Sequence, residues 1–124
     1  MIEHAALPER LRGRVASVRL LACDVDGTLT DGGVHFDSSG TEARRFHIHD
    51  GLGIVVAATV GLRSVWITGR ESSVVQRRAE ELQVSVLLQG VRDKAAALAQ
   101  VGARLQVAPN DIAFVGDDLN DLPA

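Results

Sequence analysis

The feature that most constrains the fold is a short apolar run that stops at two aspartates and a glycine. Residues 20–23 are apolar, and Asp24, Asp26 and Gly27 come directly after them. An apolar run bounded by a turn glycine is typical of a buried strand that ends at a loop. Side chains at positions i and i+2 of a strand lie on the same side, so both carboxylates can face one pocket. We therefore predict a buried strand over 19–25 with a functional site at its carboxyl end, where open α/β sheets bind their ligands.

The rest of the chain alternates strand-like and helix-like segments. Further strands are predicted over 63–67, 84–88 and 112–116, and helices over 50–60, 71–82 and 93–105. A turn-rich stretch with alternating apolar residues predicts a β-hairpin over 33–48, and residues 1–19 predict a short polar helix or an extension. Strands that alternate with helices favour a parallel sheet with right-handed crossovers. Because the chain has 124 residues, of which 46% are hydrophobic, we expect one α/β domain over 1–124 with a Rossmann-like parallel sheet.

Two helix ends carry their own signals. Asp50 precedes an almost wholly apolar segment and is predicted to cap the amino end of the helix over 50–60, and Gly61 is predicted to follow its carboxyl end. Asp93 and Lys94 are predicted to open the helix over 93–105.

Three further polar sites follow the apolar runs. Thr68, Gly69 and Arg70 come after the strand over 63–67, and Lys94 lies at the start of a helix. The last strand ends at the segment 116–121, Gly-Asp-Asp-Leu-Asn-Asp. Together with the first site, these segments place carboxylates, a hydroxyl and an ammonium on one rim of the predicted sheet.

This order of motifs resembles the haloacid dehalogenase superfamily of phosphohydrolases, over about residues 18 to 122. That superfamily carries Asp-x-Asp-Gly-Thr, then Ser or Thr, then Lys, then Gly-Asp-Asp-x-x-Asp. The resemblance implies that Asp24 is a nucleophile that forms an aspartyl-phosphate, and that Asp26 acts as general acid and then as general base. It also implies that Thr68 and Lys94 hold the phosphoryl oxygens.

The same resemblance implies a Mg²⁺ site. Its ligands would be Asp24, the backbone carbonyl of Asp26, and Asp117, and the cation would offset the charge of the clustered carboxylates. Asp118 and Asp121 would orient metal-bound waters or Lys94 without binding the metal themselves.

The hairpin and the segment 46–54, Phe-His-Ile-His-Asp-Gly-Leu-Gly-Ile, resemble the 3-deoxy-D-manno-octulosonate 8-phosphate phosphatases of that superfamily. A hairpin of about fifteen residues cannot build the core of a cap domain, so a capless fold is expected. The resemblance implies a sugar-acid phosphate substrate, a role in lipopolysaccharide biosynthesis and a homotetramer in which hairpins complete neighbouring pockets. It also implies a set of substrate-contacting residues, namely Asp31, His47, His49, Asp50, Gly51, Gly69 and Arg70.

Other functions remain open at this point. The same scaffold could hydrolyse another sugar phosphate, such as sialic acid 9-phosphate, because the pocket and not the motifs sets specificity. The chain could instead be a non-catalytic oligomerising module, with Val34, Phe36 and Phe46 buried between subunits. A phospho-accepting receiver domain is disfavoured, because Thr68 stands where a receiver carries its acceptor aspartate.

The related phosphatases continue beyond the last motif with a helix and further strands. We therefore expect the C-terminal elements of the family to be absent, leaving an open sheet edge and apolar surface beside the strand over 112–116.

Charge and composition exclude several partners. Sixteen acidic residues against thirteen basic ones provide no cationic surface for nucleic acid or an anionic membrane. The apolar runs are too short to span a bilayer. A single cysteine in a chain without a signal-like segment predicts a reducing compartment and a cytoplasmic location.

Overall fold

The computed structural model describes residues 7–124, and in that part of the chain four parallel strands form a sheet with helices on both faces. The central strands follow the order β5-β4-β1-β6, and β2 pairs with β3 in a separate antiparallel ribbon. The strands are β1 (Leu20–Cys23), β2 (His35–Phe36), β3 (Glu42–Ala43), β4 (Arg63–Ile67), β5 (Val86–Leu88) and β6 (Ile112–Val115). The helices are α1 (Glu9–Ser17), α2 (Ile48–Thr59), α3 (Ser73–Glu81) and α4 (Lys94–Leu105), with short 3₁₀ turns at Pro109–Asp111 and Leu119–Asp121. The predicted α/β class with a parallel sheet is confirmed.

The alternating residues of the central strands build one core on each face of the sheet. Leu20 and Ala22 of β1 pack with α4, whereas Cys23 and the following Val25 pack with α2 and α3. This division follows from the two-residue period of a strand and explains why the central strands read as continuous apolar runs. No helix within residues 7–124 is long and apolar enough to cross a membrane.

The register of the sheet brings the strand ends to one level. In the parallel pairing, Cys23 lies beside both Trp66 of β4 and Val115 of β6. The residues that follow these strands therefore emerge at the same edge of the sheet.

Most predicted element limits differ from the observed ones by at most two residues, but the start of α2 needs a correction. Asp50 does not cap this helix. His47 does, because its backbone is extended and its ring Nδ1 accepts the N–H of His49. Asp50 lies in the first turn, where a carboxylate is favoured by the helix dipole. Gly61 follows the helix with φ of 85°, as predicted.

The hairpin is shorter than the predicted 33–48. Only His35–Phe36 and Glu42–Ala43 pair as strands, a single bridge joins Thr30 to Phe46, and Ile48 already belongs to α2.

Phe46 connects the hairpin to the core of its own chain. Its ring stacks on Trp66 with centroids 6.1 Å apart and planes at 14°, and Trp66 is only 1% exposed. This packing contradicts the placement of Phe46 between subunits, whereas Phe36 is 63% exposed.

The edge strand β6 borders an apolar groove, as expected from the sequence. A groove of about 330 Å³ runs between α4 and β6. Its walls include Leu98, Ala99, Val107, Ile112 and Phe114.

The Phe46 contact predicts a loss of stability on truncation. Phe46→Ala should lower the free energy of unfolding by roughly 2–3 kcal/mol, because it removes a half-buried ring from a packed core. Urea unfolding followed by the fluorescence of Trp66 measures this directly, since Trp66 is the only tryptophan. Val15→Ala is the control: Val15 on α1 is 52% exposed and its truncation should change stability by at most about 0.5 kcal/mol. Equal effects of the two changes would contradict the role of Phe46.

Candidate active site

The four polar motifs converge at the carboxyl edge of the sheet. Asp24 follows β1, and its N–H still donates to Val115 at 2.9 Å. Thr68 follows β4 and continues the ladder to β5 through its N–H, which donates to Leu88 at 2.9 Å. Lys94 begins α4, whose amino end is capped by the Asp93 side chain. Backbone hydrogen bonding therefore fixes the positions from which these side chains project.

Lys94 is the central charge of the site and the only lysine of the chain. Its ammonium is 2.6 Å from Asp24 Oδ1 and 2.5 Å from Asp121 Oδ1, and its side chain is 3% exposed. Burial alone would lower the pKa of Lys94, but its hydrogen bonds to Asp121 and Asp24 outweigh that effect and raise the pKa. The ammonium therefore stays charged and partly neutralises two buried carboxylates.

For the Asp24 carboxyl, burial outweighs the hydrogen bond from Lys94, and the raised pKa favours the neutral form. Burial raises its pKa, the hydrogen bond from Lys94 opposes that rise, and a contact with Asp117 adds to it. A second cation near Asp24 and Asp117 would favour the ionised form of the Asp24 carboxyl.

The last motif is organised by Asp121. Its Oδ2 accepts the N–H groups of Asp117 and Asp118 at 3.1 and 3.2 Å, while its Oδ1 binds Lys94. Asp118 accepts the N–H of Leu119 at 2.6 Å and completes a capping box with Asp121. Both side chains are thus engaged in holding the loop.

The donor set fits a hard divalent cation. One oxygen each of Asp24, Asp117 and Asp121 lies within 4.8 Å of the others, and carboxylate oxygens are the ligands that Mg²⁺ prefers. The two oxygens of Asp121 already accept three hydrogen bonds, from Lys94 and from the N–H groups of Asp117 and Asp118. Asp24 Oδ1 also accepts from Lys94, which leaves Asp24 Oδ2 and the oxygens of Asp117 as the better ligands. Thr28 Oγ lies 3.4 Å from Asp24 Oδ2 and from Asp117 Oδ1, and its single hydrogen cannot satisfy both. A Cβ at Gly27 would overlap the Asp117 carboxylate, and Gly27 has φ of 85°.

Asp26, the second aspartate of the first motif, contacts Thr68 and Arg44. Its Oδ2 accepts a hydrogen bond from Thr68 Oγ at 3.3 Å, and its Oδ1 forms an ion pair with Arg44. Arg44 was missing from the predicted site. The sequence does contain a signal for Arg44. In an extended segment, residues at positions i, i+2 and i+4 share a face, so the inward-facing Phe46 indicates that Arg44 and Glu42 also face inward.

Three of the predicted substrate-contacting residues share a cavity of about 480 Å³, namely Asp31, His47 and Asp50. Thr28 also lines this cavity and so connects it to the carboxylates. Asp31 accepts the N–H of Gly33 and pairs with Arg45, and these interactions lower the pKa of Asp31.

The other four predicted residues lie outside that cavity. His49 is exposed beside the His47 ring, and Gly51 is buried against Arg78. Gly69 and Arg70 are exposed next to Thr68, whose Oγ accepts the N–H of Arg70 at 3.3 Å. The predicted substrate-contacting residues are therefore not all gathered in one cavity.

Comparison with known proteins identifies close relatives, although no family model matches the chain. Over 110 residues the chain is 40% identical to 3-deoxy-D-manno-octulosonate 8-phosphate phosphatase KdsC of Yersinia pestis, a match that covers 89% of this chain and 59% of that protein. The chain therefore spans about three fifths of the length of such relatives.

Solved structures agree with this finding. The 3-deoxy-D-manno-octulosonate 8-phosphate phosphatase of Moraxella catarrhalis, crystallised with magnesium ion, phosphate ion and KDO, matches with a TM-score of 0.89 at 40% identity, over 91% of this chain and 65% of that one. A HAD superfamily (subfamily III A) hydrolase of Legionella pneumophila matches with a TM-score of 0.86 at 35% identity, over 90% of this chain and 61% of that one.

The buried Lys94 pairs predict a pH-dependent stability. Lys94→Met should cost about 3–5 kcal/mol near pH 7.5, because it leaves buried carboxylates without their cation. In this variant the folded state favours protonated Asp24 more strongly, so the deficit should shrink as the pH falls to about 5. Urea unfolding of both chains in metal-free buffer across this range measures it.

Arg104→Met, an exposed change on the same helix, is the control. A deficit that stays constant with pH would contradict the electrostatic explanation.

Proposed function

Since this chain belongs to the haloacid dehalogenase superfamily and is similar to its 3-deoxy-D-manno-octulosonate 8-phosphate phosphatases, we propose that it hydrolyses a sugar-acid phosphate. The supporting observation is the convergence of Asp24, Asp26, Thr68 and Lys94 at one sheet edge. The substrate we propose is 3-deoxy-D-manno-octulosonate 8-phosphate, for which the aligned relatives are named.

The chemistry proceeds in two steps. An Asp24 oxygen attacks phosphorus as the bond from phosphorus to the sugar oxygen breaks, and Asp26 donates its proton to that leaving oxygen. Asp26 then takes a proton from the water that attacks the aspartyl-phosphate, which frees inorganic phosphate and restores the Asp24 carboxylate. Lys94 and Thr68 hold the phosphoryl oxygens in line with the attacking group.

Mg²⁺ is the proposed cofactor, held by Asp24, Asp117 and the backbone carbonyl of Asp26. When bound, it supplies positive charge against the phosphoryl oxygens. Asp118 and Asp121 keep the Asp117 loop in place through the hydrogen bonds described above.

The sugar-binding side is the cavity formed by Asp31, His47 and Asp50. Carboxylates accept hydrogen bonds from sugar hydroxyls, and His47, His49 and Arg70 carry the donors that a sugar carboxylate requires. Gly51 and Gly69 complete the proposed set: a Cβ at Gly51 would overlap Arg78, and Gly69 directly follows Thr68.

The nucleophile is tested by its isosteric amide. Asp24→Asn should abolish phosphate release from 3-deoxy-D-manno-octulosonate 8-phosphate, because the amide keeps the shape and cannot form the aspartyl-phosphate. Release is measured with and without Mg²⁺, and with sialic acid 9-phosphate and other sugar phosphates as alternative substrates.

Arg104→Met should retain the wild-type rate, and Trp66 fluorescence checks that each variant is folded. Appreciable turnover by Asp24→Asn would refute the covalent mechanism. No metal-dependent release from any substrate by the folded wild type would favour a non-catalytic module.

We further propose that the chain assembles as a homotetramer through its hairpin. The exposed Phe36 supports this proposal, together with an apolar stripe on α2 that consists of Ile48, Leu52, Val55, Val56 and Val60. Exposed apolar surface of this kind is typical of a protein–protein interface.

The assembly predicts a mass change. Phe36→Asp should dissociate the oligomer, because it places a charge in the apolar centre of the interface. Phe36→Leu, which keeps the surface apolar, should preserve it. Light scattering coupled to size-exclusion chromatography gives the masses, and an unchanged mass for Phe36→Asp would remove the hairpin from this role.

The cellular setting we propose is the cytoplasm, with a role in lipopolysaccharide biosynthesis that follows from the proposed substrate. The free cysteine, Cys23, is buried, and burial followed by the charge of Asp24 raises its pKa to about 11. It therefore behaves as a small apolar core residue.

A further inference from the structure

The hairpin directs the Arg44 side chain toward Asp26, the proposed proton donor. Arg44 follows β3, and its side chain has no exposed surface. Its Nη1 pairs with Asp26 Oδ1, and its Nε and Nη2 lie 2.8 and 2.7 Å from Glu42 Oε1. Burial and the neighbouring Arg70 lower the pKa of Arg44, yet a guanidinium remains charged at neutral pH.

The partners of Arg44 are themselves anchored to the sheet and its helices. Glu42 Oε2 accepts a hydrogen bond from Ser72 Oγ at 2.9 Å. Ser72 caps the amino end of α3, and its N–H donates to Gln89 at 2.8 Å. The guanidinium is thus held on a rigid base and not on a free loop tip.

The two oxygens of Asp26 face different neighbours. Oδ1 is occupied by Arg44, and Oδ2 lies 3.3 Å from the Thr68 hydroxyl. Since Thr68 is the proposed phosphoryl ligand, Oδ2 is the oxygen on the side of the proposed phosphoryl site. A carboxyl group rotates about its terminal bond, so one fixed oxygen determines where the other points.

We propose that Arg44 is a positioning residue that orients the Asp26 carboxyl, with Oδ2 toward the phosphoryl site. This inference rests on the proposed function. In the first step Oδ2 carries the proton that passes to the sugar oxygen as the phosphorus–oxygen bond breaks, and in the second step Oδ2 takes the proton of the attacking water. Arg44 exchanges no proton and keeps Oδ1 occupied throughout.

A purely structural ion pair would behave differently. It would dock the hairpin and lower activity on every substrate alike. A positioning role instead affects the step that needs a proton, and this need depends on the leaving group. A sugar alkoxide must be protonated as it leaves, whereas p-nitrophenolate leaves without a proton.

The first test compares two substrates by kcat/KM, which reports only the steps up to release of the leaving group. Arg44→Met should reduce kcat/KM for 3-deoxy-D-manno-octulosonate 8-phosphate by about 100-fold or more, and for p-nitrophenyl phosphate by less than about 10-fold. Asp26→Asn should show the same selectivity. Arg44→Lys, which keeps a cation, should recover part of the loss on the sugar phosphate.

The control is again Arg104→Met, which should leave both values at the wild-type level. An equal loss on both substrates for Arg44→Met, or full recovery by neutral Arg44→Gln, would overturn the positioning role.

The second test does not depend on turnover. Thermal unfolding of the wild type, Arg44→Met, Asp26→Ala and the double variant gives a double-mutant cycle. The change in Tm of the double variant should differ from the sum of the two single changes by about 3 °C or more. Additive changes would overturn the contact and the positioning role with it.

The two tests distinguish a failure of the proposed function from a failure of the Arg44 inference. A wild-type chain that releases phosphate from neither substrate would overturn the proposed function, and the cycle would still decide whether Arg44 holds Asp26. An active wild type without the substrate selectivity would overturn the Arg44 inference alone.

Discussion

The site depends on one buried ammonium placed between two buried carboxylates. Lys94 contacts Asp24 and Asp121 at 2.6 and 2.5 Å, in a place where unpaired charges would each cost several kcal/mol. Through Asp121, the same cation also determines the conformation of the loop that carries Asp117. The proposed nucleophile and the proposed metal ligand are thus both held, directly or through Asp121, by the only lysine of the chain.

Parallel pairing is what makes this centre possible. The register places Cys23 beside Trp66 and Val115, so the loops after β1, β4 and β6 leave the sheet at one level. Residues separated by about 90 positions in the chain, such as Thr28 and Asp117, then come within 3.4 Å. The electrostatic cost of assembling these carboxylates is offset by the two apolar cores, which fix the strands independently of the site.

The hairpin has an outward and an inward side, and the two serve different purposes. Phe36 is exposed, whereas Phe46 stacks on Trp66 and Arg44 contacts Asp26. The hairpin, which the sequence predicts to be an assembly element, is therefore also packed against the core and paired with Asp26. Any partner that displaces the hairpin would act on Asp26 through Arg44.

The sequence by itself determined the fold class, the strand order along the chain and the four motif sites, because apolar period and turn residues are local signals. It misplaced the cap of α2, because the helix begins at Ile48 and the His47 ring accepts the free N–H of His49, which leaves Asp50 inside the first turn. It missed Arg44, because an arginine that will be buried cannot be told from a solvated one by local pattern, and its partner Asp26 lies 18 residues away in the chain. Tertiary packing alone decided which oxygen of Asp26 faces Thr68 and which predicted residues share a cavity. Both depend on distances between segments that are far apart in the chain.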